Sequence, residues 1–298
     1  MMKIVIITPA RNEEEYVRET IESIIQQTVK PIRWIIVDDG STDKTVEIIE
    51  NYTKDFSFME LLKRPNRGFR RPGEGVIESF YEGYNLIKNI EYEIVAKLDA
   101  DLKFPNNTLE LIVNAFEKDK SLGITGGTRY EEIKGKSGYQ KIFIQKGYVG
   151  GAYKFYRREC FYEIGGIIHR AGWDGVDIVK ANMKGWKTGE LKDVRIIHLR
   201  PTGTSDGEGL KRACMKYGDI SYYMGGHFWY FLLRVVGRSI LNSNYKTGFY
   251  MLKGYLNSKR NKLERESRPF RKFLKKTQRD IIRYHIKNFI QFKIDKVG

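Results

Sequence analysis

Short apolar runs alternate with segments of helical periodicity along the first two hundred positions. Residues 3–8 (Lys-Ile-Val-Ile-Ile-Thr), 33–37 (Arg-Trp-Ile-Ile-Val), 58–62 and 94–98 (Ile-Val-Ala-Lys-Leu) lack a polar face. They read as strands covered on both sides. Between them, residues 14–27 carry Tyr16, Val17, Ile21, Ile24 and Ile25 at helical spacing, and 44–52 and 76–88 behave likewise. Ser41 or Thr42 is placed to cap the second of these helices. Such alternation predicts an α/β fold with a doubly wound, mainly parallel sheet flanked by helices. Further on, 109–116 and 177–184 predict helices. Residues 122–125, ending at Gly126-Gly127, and 150–156 and 194–198 predict strands, with a short helix to Ile164 before Gly165-Gly166. Residues 200–209 (Arg-Pro-Thr-Gly-Thr-Ser-Asp-Gly-Glu-Gly) have no periodicity and divide the chain into 1–205 and 206–298.

The second part looks different. Residues 222–236 are aromatic and apolar but interrupted by Gly225-Gly226 and Arg234. Residues 270–294 place Phe270, Phe273, Leu274, Ile281, His285, Phe289 and Phe292 at helical steps among lysines and arginines, a basic amphipathic helix. The net charge of +16 is concentrated here. Residues 209–298 hold 21 Lys+Arg against 5 Asp+Glu, whereas the first 208 hold 32 of each. A neutral region joined to a strongly basic one predicts two different partners. Cys160 and Cys214 share no metal-ligand spacing and read as reduced structural thiols. The opening residues do not form a secretory signal, and no apolar run reaches the roughly 18 residues of a membrane span, so a cytoplasmic location is expected.

The sharpest chemistry lies at Leu98-Asp99-Ala100-Asp101. A buried run ends on two carboxylates one residue apart, with Pro105 suited to the first turn of the next helix. Ligands of open α/β sheets bind at that strand edge. Two hard oxygen ligands suit Mg²⁺ or Mn²⁺ held together with substrate phosphates. Taken alone, the tripeptide reads first as a solvated turn, and the rest of the chain reverses that order.

Three stretches in order, Thr8-Pro9-Ala10-Arg11-Asn12-Glu13, Val37-Asp38-Asp39-Gly40-Ser41-Thr42 and Leu98-Asp99-Ala100-Asp101, each close a predicted strand. Together they resemble the family 2 inverting glycosyltransferases of GT-A fold, over about residues 1–200. The resemblance implies a nucleotide-sugar donor, a UDP-sugar first and a GDP- or dTDP-sugar otherwise, and a glycan or lipid-linked acceptor. Thr8, Pro9, Arg11 and Glu13 would line the nucleoside site and Asp39 would accept from the base N–H. Asp99, Ala100 and Asp101 would lie at the diphosphate, with Asp99 and Asp101 on the metal. Arg71 and Lys97, with Arg67 and Arg70, would assist the leaving group. Gly151, in Gly150-Gly151-Ala152, would floor the space between donor and acceptor.

The family's general base follows from the segment Gly172-Trp173-Asp174-Gly175-Val176-Asp177, which precedes Gly185-Trp186. Asp174 takes the base position, Trp173 replaces the usual Glu, and Asp177 is the second choice, orienting Asp174 or capping the helix. His198 is a further metal or diphosphate ligand by the same resemblance, with Arg200 beside it as a diphosphate contact, although a histidine at a strand end is also an ordinary structural residue. The other histidines read as structural.

Three other classes compete less well. A sugar nucleotidyltransferase would show a Gly-rich phosphate loop after the first strand, as would a Rossmann dehydrogenase, and Thr8 to Glu13 is not one. A nucleic-acid-binding protein would use the basic C-terminus but leaves the strand-end acids unexplained, so no nucleic-acid partner is expected. For residues 206–298 an anionic membrane surface is favoured, at the inner face of the cell membrane, with Phe228-Trp229-Tyr230-Phe231 in the interface. A homo-oligomer contact would bury the same apolar stripe.

Overall fold

The computed structural model describes residues 1–69, 73–133, 135, 137–200, 209–241 and 244–297, the stretch 285–297 as backbone. The chain divides into two compact units, Met1–Asp206 and Gly207–Gly298.

In the first unit the order is β1 (Ile4–Ala10), α1 (Val17–Ile25), β2 (Arg33–Asp38), α2 (Thr45–Thr53), β3 (Met59–Lys63), α3 (Glu74–Ile87) and β4 (Ile94–Leu98). Then follow β5 (Leu102–Lys103), α4 (Thr108–Lys118), β6 (Leu122–Glu132), β7 (Tyr139–Lys141), β8 (Tyr153–Arg157), α5 (Arg158–Glu163), α6 (Trp173–Met183) and β9 (Lys187–His198). One sheet runs β3-β2-β1-β4-β8-β6-β9-β5, with β7 on β6. β3, β2, β1 and β4 are parallel, β8 enters antiparallel, and β6 and β9 run parallel again. This is the helix-flanked α/β sheet that the alternation predicts.

The centres of β1, β2 and β4 are apolar because both of their faces are covered, with Ile4 to Ile7, Trp34 to Val37 and Ile94 to Ala96 excluded from water. The register sets Thr8 against Ile36 and Ile7 against Lys97. The polar residues that end these strands therefore emerge at one sheet edge. Helix α3 lies close over the sheet at Gly83, where a Cβ would stand 2.9 Å from methyls of Ile7 and Val37.

Several elements differ from the sequence expectation. α1 begins at Val17, three residues later than periodicity suggests, because Asn12 takes a left-handed φ of 55° and residues 11–16 form a turn. Ser41 and Thr42 do not cap α2. Both bond Asn12 across the site, and Asp43 accepts from the Thr45 N–H instead (3.0 Å). Pro105 lies before α4 rather than in its first turn, since the two-residue β5 intervenes. β6 does not stop at Gly126-Gly127. It passes through them with a register shift after Gly127, and the missing side chains leave room for the carbonyls of Tyr153 and Val194, each 2.5 Å from where a Cβ would be. Gly150 and Gly151 precede β8 instead of joining it.

The second unit comprises α7 (Leu210–Met224), α8 (Phe228–Leu241), α9 (Tyr245–Arg260) and α10 (Arg268–Val297). The break predicted at Gly225 is the left-handed end of α7, φ 65°. Cys214, Tyr222, Phe231, Met251 and Tyr255 form its core. α7 and α9 cross at Gly218 and Gly254. A Cβ at either would stand 2.1 Å from a backbone carbonyl of the other helix, so only glycine permits this approach. Phe270 of α10 is buried, while Phe289 and Phe292 have side chains outside the described residues. No described helix is long and apolar enough to cross a membrane.

Candidate functional site

The carboxyl ends of β1, β2 and β4 carry the three motifs. After β1 the chain turns through Arg11, whose guanidinium donates to the Asp39 carbonyl oxygen and to Asn66 Oδ1 (2.9 Å). Glu13 is buried. Its N–H donates to Thr45 Oγ1 (2.7 Å) and its carboxylate pairs with Arg200. Thr8, also buried, accepts from the indole N–H of Trp34 (3.0 Å).

After β2, Asp38 and Asp39 take different roles. Asp38 turns back to accept from the N–H groups of Gly40 (3.1 Å) and Ser41, a turn acid. Asp39 faces the site, its carboxylate bridged by Arg64 (2.7 Å) and Arg67, and Arg67 in turn holds Glu78 (2.7 Å). Arg64 and Glu78 carry no motif, and their distance from Asp39 in the chain hides them from sequence reasoning. Arg70 and Arg71 lie outside the described residues.

At the end of β4, Asp99, Asp101 and His198 come together with ligand atoms all within 4.8 Å of one another. The short β5 achieves this by pairing Leu102 with His198. His198 Nδ1 meets Glu131 Oε1 at 3.1 Å while Nε2 lies 3.5 Å from Asp101 Oδ1. A carboxylate on Nδ1 fixes the tautomer and aims Nε2 inward, as the outer partners of metal-binding histidines do. Burial disfavours the charged imidazole, but the Glu131 hydrogen bond and the charges of Asp101 and Asp99 outweigh it and raise its pKa. Burial foremost, and then the charge of Asp99, raises the pKa of Asp101. Asp101 Oδ1 is buried without a hydrogen-bond partner. An orphaned buried carboxylate oxygen beside a second carboxylate and an oriented imidazole fits a hard divalent cation such as Mg²⁺ or Mn²⁺. Glu131 was not singled out from sequence, since only the β6–β9 pairing brings it beside His198. Arg200 stands 3.7 Å from Asp101 Oδ2 and covers Tyr16 at 5.0 Å. Ala100 is buried, its carbonyl accepting from Thr20 Oγ1 (2.8 Å).

Lys97 turns inward from β4. Its ammonium is buried, pairs with Asp99 and donates to the Gly151 carbonyl (3.0 Å). Its cross-strand neighbour Lys154 is also buried. The Trp173 ring lies 5.3 Å from Lys97 Nζ and 5.4 Å from Lys154 Nζ, so the indole bridges two cations. Gly151 fits against this group, a Cβ there standing 3.0 Å from Asp174 Cβ.

α6 starts at Trp173, four residues before the predicted start, so that Asp174 sits in its first turn. Asp174 is half-buried and accepts from the Tyr148 hydroxyl. Asp177 is wholly buried. Lys154 donates to both of its oxygens (2.7 and 2.8 Å) and to the Asp174 carbonyl (2.6 Å), and Tyr156 donates to Oδ2 (2.6 Å). Its surroundings close it to an acceptor hydroxyl. Burial raises the Asp177 pKa against the opposing Lys154 and Tyr156. His169 stacks on Tyr81 and His227 on Trp229, away from these groups in the chain.

Known proteins share this arrangement of sequence. The family model described as glycosyl transferase family 2 matches residues 5–173. The chain is similar to the poly-beta-1,6-N-acetyl-D-glucosamine synthase of Staphylococcus epidermidis, 35% identical over 129 residues, which is 42% of this chain and 28% of that protein. It is also similar to the chondroitin synthase of Pasteurella multocida, 30% identical over 117 residues, 39% of this chain and 11% of that one. The match thus spans a minor part of both of these relatives. Among solved structures, S. aureus TarS 1-349 in complex with UDP-GlcNAc has a TM-score of 0.55 at 20% identity, covering 74% of this chain and 66% of that one. The mannosyltransferase PcManGT from Pyrobaculum calidifontis, in complex with GDP-Man and Mn²⁺, has a TM-score of 0.54 at 14% identity, covering 97% and 87%. At these identities the two structures speak for the fold, which is of GT-A type.

Proposed function

Because the chain belongs to glycosyl transferase family 2, we propose that it moves a hexose from a nucleotide diphosphate sugar to a hydroxyl of a glycan or lipid-linked acceptor, with inversion at the anomeric carbon. The observation that carries this reading is the Asp99–Asp101–His198 cluster at the same sheet edge as Asp39 and the Arg11–Glu13 turn. UDP-sugar is the first choice of donor. The nucleotide-sugar complexes of TarS and PcManGT support the donor class.

The turn Thr8-Pro9-Ala10-Arg11 and Asp39 hold the nucleoside, with Asp39 fixed in orientation by Arg64 and Arg67. Asp99, Asp101 and His198 hold Mg²⁺ or Mn²⁺ at the diphosphate. Such an ion supplies neutralising charge for the departing nucleoside diphosphate. Arg200 adds cationic charge there. Lys97 pairs with Asp99 and donates to the Gly151 carbonyl, so it assists the leaving group by bracing the acid that faces the diphosphate.

Asp174 is the general base. It takes the acceptor hydroxyl proton as the oxygen's electron pair forms the new bond to the anomeric carbon. The bond to the diphosphate breaks in line, and its electron pair leaves with the nucleotide. Asp177 does not touch substrate. Through Lys154, which bonds both Asp177 and the Asp174 carbonyl, it positions the start of α6. Asp174→Asn is expected to keep donor binding while transfer falls about 10²–10⁴-fold, the usual worth of a general base. Turnover equal to the parent would remove Asp174 from that role.

A further inference from the structure

The second unit turns several large apolar side chains to solvent in rows. On α8, Trp229, Leu233, Val236 and Ile240 are 41%, 57%, 56% and 71% exposed. Their spacing of four, three and four residues sets them on one face. On α9, Tyr245, Phe249 and Leu256 form a second exposed row. These rows are not the core-facing sides of the helices. Phe231, Met251 and Tyr255 fill the core, and Val235 and Ser239 of α8 meet Gly248 of α9. Beside the α9 row stand Lys246, Lys253 and Arg260, exposed and seven residues apart, along one shoulder of the helix. Residues 228–260 contain six Lys+Arg and neither Asp nor Glu.

We propose that the α8–α9 hairpin is a docking surface for an anionic lipid bilayer. Its two apolar rows enter the headgroup–acyl boundary while the flanking lysines and arginines meet the headgroups. The occupant follows from charge and shape. A second copy of this chain would set the six basic residues of 228–260 against the same six, with no Asp or Glu in either hairpin to offset them, so self-association through this face brings like charge together. A nucleic acid would satisfy the lysines but has no use for Leu233, Val236 and Ile240, which cannot stack on bases. Neither helix is long and apolar enough to span, so the hairpin lies on the surface. Within the run 228–231 that the sequence singles out, Phe228 and Trp229 are exposed and Phe231 faces inward. On α10 Phe270 is buried, and the side chains of 285–297 lie outside the described residues. This inference is independent of the transfer reaction.

The test is co-sedimentation of the full chain with phosphatidylcholine vesicles, alone or containing about a third phosphatidylglycerol. Two double variants accompany it, Leu233→Glu with Ile240→Glu and Lys246→Glu with Lys253→Glu. All four positions are exposed, so melting temperature should not move. Partition onto the anionic vesicles should exceed that onto neutral ones, and each double variant should lower it about tenfold or more. Unaltered partition of the Leu233/Ile240 variant would overturn the proposal. So would a change from dimer to monomer in light scattering with vesicle binding unmoved, or retention on single-stranded DNA with none on vesicles.

Discussion

Lys154 and Asp177 are both shut away from water, and neither charge is tolerable there without the other. Lys154→Met leaves the Asp177 carboxylate with Tyr156 as its remaining side-chain donor. Stability in urea should drop by about 3–5 kcal/mol, the cost of orphaning one member of a buried pair. A drop below about 1 kcal/mol would mean that water reaches the pair. The same substitution frees the Asp174 carbonyl, so kcat should fall while donor binding holds. Asp174 and Asp177 differ in environment, in the same order of preference that their spacing in the chain gives them. The motif identifies both carboxylates, but only the fold shows that one faces half outward and the other is enclosed by Lys154 and Tyr156.

Among elements, the strands with two covered faces were the most legible. Ile4 to Ile7, Trp34 to Val37 and Ile94 to Ala96 are apolar because both faces of these strands are covered, and that pattern is plain in the sequence. β5 was illegible for the opposite reason. Two residues have no periodicity, and their pairing with His198 is decided by contacts nearly a hundred positions away. Hence Asp99 and Asp101 were evident as strand-end acids, while Glu131 and Arg64 were not. The helix pair α7–α9 depends on Gly218 and Gly254, which sequence presents only as helix-weakening residues. Gly254→Ala would drive a Cβ against the Met215 carbonyl at 2.1 Å. Helix propensity favours the alanine by up to about 1 kcal/mol, but a backbone atom cannot move aside as a side chain can. The expected result is net destabilisation of about 1–3 kcal/mol by denaturant titration. A stabilised variant would show that the helices cross elsewhere.

At the scale of the molecule, the charge asymmetry and the buried titratable groups each have a consequence. Burial pushes the Cys160 thiol from 9.0 up to about 12 and the Tyr92 hydroxyl from 10.0 up to about 12, and raises Tyr153 and Tyr156 as well. Each folded value lies above its unfolded one, so the unfolded chain releases these protons first. Their contribution to stability is intact below pH 9 and is lost as pH climbs toward 12. The melting temperature should hold from pH 7 to 9 and fall progressively above it. A flat profile to pH 11 would show that these side chains are hydrated. The charge division between the first 208 residues and the rest was plain from sequence, and so was the family. The start of the α8 row was anticipated at Phe228-Trp229, but the row on α9 was not, because Tyr, Phe and Leu look alike whether a helix turns them in or out.

The central claim, a nucleotide-sugar site built on Asp99, Asp101 and His198, is tested most directly by thermal stabilisation with UDP, GDP, dTDP and CMP, each with and without Mn²⁺. A ligand that binds only the folded chain adds about 2.7 kcal/mol at a hundredfold excess over its Kd. One nucleoside diphosphate, UDP first, should raise the melting temperature in the presence of Mn²⁺ and lose that effect in Asp101→Asn. Equal melting temperatures with every nucleotide, with and without metal, would contradict the account.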